Sequence, residues 1–86
     1  MQVPKLKVLI EAGAVREVEV SHEADGWAVW IAYATRTGER CEALERQRGG
    51  LRAFTTLDAV ARALAGLGLP AFRVNAVGLT GEDEPP

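Results

Sequence analysis

Side chains able to perform nucleophilic or metal-binding chemistry are few in this sequence. The chain has one histidine, His22, and one cysteine, Cys41, among 86 residues. A zinc site needs three or four ligands at a defined spacing, and a cysteine nucleophile needs a basic partner beside it. His22 is therefore predicted to be a structural or solvated residue near a turn, and Cys41 a small buried apolar group.

The carboxylates are distributed along a strand, around a turn and in a tail. Glu17 and Glu19 alternate with apolar residues, Glu23 and Asp25 flank a turn, and residues 82–84 are all acidic. This pattern does not place an acid and a base in one pocket, which a domain of this size rarely encloses. The glycine pairs lack the Gly-Lys-Ser/Thr ending of a phosphate-binding loop. We therefore expect a non-enzymatic protein without cofactor or metal.

Length and composition favour one globular domain over residues 1–79, followed by an acidic flexible tail over residues 80–86. The chain is 48% hydrophobic and 26% charged, which is typical of a folded protein. A net charge of −2 argues against a surface that binds nucleic acid everywhere. A lone cysteine cannot form an internal disulfide, and no apolar run suits a signal peptide or membrane span. A bacterial cytoplasmic protein is expected.

The periodicity predicts an α+β fold in the order α-β-β-β-α-β. Pro4 to Ala12 suits a short helix because proline favours the first helical turn and Gly13 favours its end. A strand through Lys7 to Glu11 is the alternative. Strands are predicted over Arg16–Ser21, Trp27–Thr35, Arg40–Gln47 and Ala71–Ala76, with a short edge strand over Leu51–Phe54.

The best-defined element is a second helix that begins after Thr55 or Thr56, either of which is a suitable N-terminal cap. Its predicted buried stripe is Leu57, Val60, Ala61, Leu64 and Leu67. In the last strand, Phe72, Val74 and Ala76 are expected to face inward. Consecutive hairpins then predict an antiparallel sheet of about four strands packed against the second helix.

The central strand is apolar on both faces, and this raises the first candidate site. Trp27, Val29, Ile31 and Tyr33 share one face, while Trp30 lies on the other face among alanines. Trp30 could anchor a protein partner or a twofold dimer contact. The alternative is that the N-terminal helix folds over this face and buries Trp30 within the chain.

A cluster of arginines is the second candidate site. Arg46, Arg48 and Arg52 surround Gly49-Gly50, and Arg40 and Arg62 are predicted to lie nearby. Such a cluster could bind phosphates or an acidic partner. The alternative is a solvated hairpin without a ligand.

Parts of the sequence resemble a known family. Residues 9–16 (LIEAGAVR), 26–29 (GWAV) and 48–62 (RGGLRAFTTLDAVAR) are similar to ParC-like proteins, small plasmid partition-associated proteins of conjugative plasmids and integrative elements, unrelated to the topoisomerase subunit of that name. The resemblance extends to about Ala76. It implies a non-catalytic accessory protein that binds proteins or DNA, and it provides no active-site motif to transfer.

The hypothesis is therefore a plasmid partition-associated binding module, active as a monomer or dimer, whose partner is a protein such as a partition ATPase. Trp30, Arg46, Arg48 and Arg52 are its predicted contacts. The alternative is a small acidic inhibitor of a host defence complex, of the anti-CRISPR type, acting through Glu17, Glu19 and Glu23. Direct DNA binding through the arginines is a weaker alternative, and no membrane association is expected.

Overall fold

A computed structural model of the chain describes residues 1–23, 26–45 and 53–77. The α+β prediction is confirmed. The elements are α1 (Val3–Glu11), β1 (Val15–Glu23), β2 (Gly26–Thr35), β3 (Gly38–Ala43), β4 (Ala53–Phe54), α2 (Leu57–Gly66) and β5 (Arg73–Asn75). The predicted tail over residues 80–86 lies outside the described residues. Within the described part of the chain, neither helix is long and apolar enough to cross a membrane.

The first helix forms where the sequence predicts it, and the strand alternative is wrong. Pro4 stands in the first turn of α1, and Gly13 follows the helix with φ of 68°. The Ala14 N–H donates to the Leu9 carbonyl at 2.9 Å, and the Gly13 N–H donates to the Ile10 carbonyl at 3.0 Å. These two bonds satisfy carbonyls at the helix end, an arrangement that glycine permits because it adopts a left-handed conformation without steric cost.

The sheet is mixed, so the prediction of a purely antiparallel sheet is wrong. Its strand order is β3-β2-β1-β5, and β4 pairs with β2 on the edge that β3 also uses. β1 and β5 are parallel, with Val20 opposite Val74. After β4, α2 carries the chain across β2 and β1 to the far edge. Two parallel strands that are neighbours in a sheet require such a crossover connection. Turn residues in the sequence indicate hairpins and do not indicate a crossover.

Both helices pack against the same face of the sheet. Leu6 of α1 and Leu64 of α2 join Val29 and Ile31 of β2 in one core, and all four are fully or almost fully buried. The alternation predicted for β1 is confirmed, because Val18 and Val20 are buried in that core. The complete cluster is Met1, Leu6, Val18, Val20, Trp27, Val29, Ile31, Tyr33, Leu44, Val60 and Leu64.

Several predicted inward positions are corrected by the structure. Val74 and Ala76 are exposed, because β5 is a three-residue edge strand and α2 packs mainly over β2 and β4. Ala61 of α2 is exposed at the border of a stripe that buries Val60 and Leu64. Cys41 is also exposed rather than buried. The third strand ends at Ala43, before the predicted Gln47, which lies outside the described residues.

The structure decides which threonine caps α2. The Thr56 hydroxyl accepts a hydrogen bond from the Ala59 N–H at 3.1 Å, which satisfies one of the free amides of the first turn. Replacing Thr56 with alanine is expected to lower the free energy of unfolding by about 1 kcal/mol. The neighbouring Thr55→Ala is the matched control and should change it by less than ~0.5 kcal/mol. Equal losses in urea titrations of the two variants would contradict this assignment.

Candidate functional site

The face of the sheet opposite the helices, here called the open face, carries no described helix or strand on top of it. Because side chains alternate along a strand, this face collects the residues that the core does not use. It comprises Glu17, Glu19, Ser21 and Glu23 of β1, Ala28, Trp30, Ala32 and Ala34 of β2, Glu39, Cys41 and Ala43 of β3, and Arg73 and Asn75 of β5.

Trp30 lies near the middle of the open face. Its neighbours across the sheet are Glu19 on one side and Ala43 on the other. The indole is only partly buried, although most tryptophans in so small a domain would serve its core. α1 packs against the other face, through Leu6, so the alternative that the N-terminal helix covers Trp30 is wrong.

Hydrogen bonds fix the orientation of the indole. Trp30 Nε1 donates to the Ser21 hydroxyl at 3.1 Å, and that hydroxyl donates to the Glu23 carboxylate at 2.7 Å. Ser21 is the cross-strand partner of Ala28, so the indole leans diagonally over that part of β2. Ala28 is fully buried, although it lies on the open face. The large apolar group of this surface is thus held in one position.

A guanidinium bridges two of the acidic residues. Arg73 Nε lies 3.2 Å from the Glu17 carboxylate, and an Arg73 terminal nitrogen donates to Glu19 at 3.0 Å. Asn75 Nδ2 also donates to Glu19 at 3.3 Å. The parallel register of β1 and β5 creates this contact by placing Arg73 opposite Glu19. These pairs are solvent-exposed, so each contributes at most about 1 kcal/mol.

A shallow concavity of about 370 Å³ lies on the open face. It unites Trp30 with the three glutamates of the acidic hypothesis, which the sequence had suggested as separate sites. Its lining is Glu17, Glu19, Ser21, Glu23, Trp30, Ala32, Cys41 and Asn75.

The sequence pattern did not lead to four residues of this surface, which are Ser21, Cys41, Arg73 and Asn75. For Ser21 and Cys41 the signal was present, since strand alternation alone places them on the Trp30 side of the sheet. Arg73 and Asn75 carried no such local signal, because their position depends on a pairing between strands far apart in the sequence.

The structure does not test the predicted arginine site. Arg46, Arg48 and Arg52 lie outside the described residues. Of the two arginines predicted to lie nearby, Arg62 is exposed on α2, on the helical side of the sheet. Arg40 is exposed on β3 opposite Tyr33, and it also points to the helical side. Neither contributes to the open face.

His22 and Cys41, the histidine and the cysteine of the chain, lie on opposite faces of the sheet. His22 packs edge-on against Trp27 at a ring-centroid distance of 4.9 Å, on the helical side of the sheet. Cys41 lies on the open face, so the two residues cannot form a nucleophile and base pair. In the described part of the chain, no three histidine, cysteine or carboxylate side chains are grouped closely enough to hold a metal ion.

A polar cluster ties α1 to the sheet on the helical side. The Tyr33 hydroxyl donates a short hydrogen bond to Glu42, and Lys5 Nζ reaches Glu42 at 3.1 Å and the Tyr33 hydroxyl at 3.2 Å. The hydrogen bond from Tyr33, followed by that from Lys5, lowers the pKa of Glu42 to about 2. The same two partners raise the pKa of Lys5. Because the cluster joins α1 to β2 and β3, we assign it a role in stabilising the fold.

This cluster predicts a pH-dependent stability. Since the folded protein depresses the pKa of Glu42 to about 2, its contribution is complete above the ordinary value of 4.5 and is lost as the pH falls towards 2. Glu42→Gln should lower the free energy of unfolding by about 1 kcal/mol near neutral pH, because a charged hydrogen bond at a partly exposed site is weakened. The difference from the native protein should shrink below pH ~4 and vanish near pH ~2.

Urea titrations at a series of pH values would measure this difference. The matched control is Glu11→Gln on the exposed end of α1, which removes the same charge and should show no such dependence. A Glu42→Gln difference that stayed constant down to pH ~2 would contradict the assignment.

The fold and site define a class: a small α+β domain in which both helices cover one face of the sheet and no described element covers the other. The chain belongs to the ParC-like family, whose model matches residues 1–81. This confirms the resemblance noted in the sequence and indicates a small accessory protein. A comparison with curated proteins gave no significant match, and a comparison with solved structures gave none either.

Proposed function

We propose that the chain is a non-enzymatic accessory protein of a mobile genetic element, of the plasmid partition-associated type, and that it binds a protein partner through the open face. Membership in the ParC-like family supports the accessory role. The observation that carries the binding role is Trp30, a partly exposed tryptophan in the middle of a sheet face without a described cover. A partition ATPase is the partner class to test first.

The surroundings of Trp30 suit an anchor residue. Binding energy at protein interfaces concentrates in a few residues, and tryptophan is enriched among them because it buries a large area at small entropic cost. The hydrogen bond from Trp30 to Ser21 reduces that cost further by holding the indole in one rotamer before binding. The adjoining Ala32 and Ala43 leave room for a partner side chain beside the ring.

The test is the affinity of the native chain and of Trp30→Ala for the partition ATPase of the same element, measured by isothermal titration calorimetry. Loss of a central tryptophan is expected to weaken binding by at least ~30-fold. Arg62→Ala, on the exposed side of α2, is the control and should bind as the native chain does. Native-like binding by Trp30→Ala would refute this use of the open face.

One observation favours a second candidate, the inhibitor of a host defence complex: Glu17, Glu19 and Glu23 line one concavity, as a mimic of a nucleic-acid surface would require. Against it, Arg73 neutralises part of that charge. Under this alternative, charge reversal at Glu17 and Glu19 abolishes inhibition of a CRISPR effector.

If DNA is instead the ligand, the affinity for DNA falls steeply as the salt concentration rises and is lost when Arg48 and Arg52 become alanine.

A further inference from the structure

We infer that the partner segment on the open face presents an arginine or lysine next to an apolar side chain, and that the face does not bind a second copy of this chain. The inference rests on the proposed function and specifies the chemistry of its partner. It follows from the charges around Trp30 and from the hydrogen bonds that connect them to the indole.

The acidic residues around Trp30 are unequally neutralised. Glu17 and Glu19 share the guanidinium of Arg73. Glu23 receives a hydrogen bond from the Ser21 hydroxyl, and among the described residues no cation pairs with it. Within residues 1–23, 26–45 and 53–77, the open face therefore offers a carboxylate that no cation neutralises, and a cationic partner can pair with it.

The position of this carboxylate connects charge to the apolar anchor. Ser21 contacts both Glu23, at 2.7 Å, and Trp30 Nε1, at 3.1 Å, so the carboxylate and the indole border the same hydroxyl. A cation that pairs with Glu23 can therefore also approach the ring, and cation–π attraction extends to about 6 Å from the ring centroid. Arginine suits this position best, because its planar group pairs with a carboxylate and stacks on an aromatic ring.

Arg73 gives direct support for a guanidinium on this surface. It lies in the same row of the sheet as Glu19 and Trp30 and bridges two carboxylates at 3.2 and 3.0 Å. The surface thus already holds one guanidinium between two β1 glutamates, and Glu23 repeats the same side-chain type farther along β1. A basic partner adds a second ion pair without displacing the first.

The same charges disfavour a twofold dimer through this face. Two copies related by a twofold axis present the same patch to each other, so the excess of carboxylates among its described residues would face an equal excess. Like charges brought together at an interface oppose association. The face itself, ~33 Å long and ~19 Å wide from strand geometry, provides ~600 Å² per copy, the low end of what a stable interface uses. A basic segment uses this area without the repulsion.

The experiment is a selection of random dodecapeptides displayed on phage against the native chain, after which the affinity of each selected peptide is compared between the native chain and Trp30→Ala. The expected peptides carry arginine or lysine beside leucine, phenylalanine or tryptophan. Synthetic copies should bind Trp30→Ala at least ~30-fold more weakly than the native chain. They should bind Glu23→Gln about 2- to 5-fold more weakly at low salt, with a smaller difference at high salt. Glu11→Gln is the matched charge control and should bind as the native chain does.

The outcomes separate the inference from the proposed function. Peptides that depend on Trp30 but are neutral or acidic, or that bind Glu23→Gln as tightly as the native chain, overturn the inference and leave the binding role intact. Peptides that bind Trp30→Ala as tightly as the native chain, or a selection that yields no peptides, refute both the inference and the proposed binding role of the open face. Sedimentation equilibrium tests the second part: a dimer that dissociates on Trp30→Ala substitution would overturn it.

Discussion

Replacing Ile31 with alanine is expected to lower the free energy of unfolding by about 3–4 kcal/mol, a large part of what an 86-residue domain has. Ile31 is fully buried in the middle of β2, between the sheet and both helices. The substitution removes apolar contacts and leaves a cavity that neighbouring β-sheet backbone cannot fill. Urea unfolding followed by far-ultraviolet circular dichroism measures the loss.

Neighbouring substitutions on the same strand provide the controls. Ile31→Val removes one methylene and should cost about 1 kcal/mol, which keeps the test informative if Ile31→Ala does not fold. Trp30→Ala truncates a larger side chain on the open face, and it should cost only about 1–2 kcal/mol because the indole is partly solvated and loses one hydrogen bond. If Trp30→Ala destabilised the protein as much as Ile31→Ala does, the face around Trp30 would be core rather than surface.

The contrast between these two residues shows how far the sequence can go. Alternation along β2 predicted that Ile31 and Trp30 point to opposite faces, because that depends only on strand geometry. It could not decide which face the N-terminal helix covers, since an amphipathic helix with Leu6, Leu9 and Ile10 on one side would pack against either. The structure resolves this point by placing Leu6 in the core with Ile31.

The errors share one physical origin. The last strand was predicted to be antiparallel with Val74 buried, whereas it is a parallel edge strand in which Val74 is exposed because α2 does not cover it. Hairpins are encoded by local turn residues, but a crossover is decided by tertiary packing between distant segments. The same restriction applies to the candidate site. Alternation along the strands was enough to predict Trp30 and the β1 glutamates, whereas the ion pairs of Arg73 with Glu17 and Glu19 depend on the pairing of distant strands and were not predicted.

Placing both helices on one face also explains how so small a chain combines stability with a free surface. Leu6 of α1 and Val60 and Leu64 of α2 bury the same side of β2. The other side of β2 is occupied mainly by alanines, which expose little apolar area beside Trp30. Among its described residues, the open face therefore presents one large apolar side chain, Trp30, rather than a broad apolar patch, and this limits nonspecific association through that face.

Replacing Gly26 with alanine is expected to lower the free energy of unfolding by about 3 kcal/mol, for two additive reasons. Gly26 begins β2 with φ of 130°, a conformation that residues with a Cβ adopt only under strain. A Cβ at this position would also collide with the backbone oxygen of Phe54 and lie 3.2 Å from its carbonyl carbon. Backbone in a paired strand cannot move aside as a flexible side chain can, so β4 must separate from β2.

Gly38 provides the matched control, because it begins β3 with a similar φ of 146° but has no atom within 4 Å of a Cβ at that position. Gly38→Ala introduces only the backbone strain, without a collision, and should lower the free energy of unfolding by about 1–2 kcal/mol. The expected signature of Gly26→Ala is therefore a greater loss than Gly38→Ala in urea titrations, together with faster amide hydrogen exchange at Phe54. If the two variants lost equal free energy of unfolding and the exchange at Phe54 were unchanged, β4 would not pack against the start of β2. The position of α2, which follows β4 directly, would then be contradicted as well.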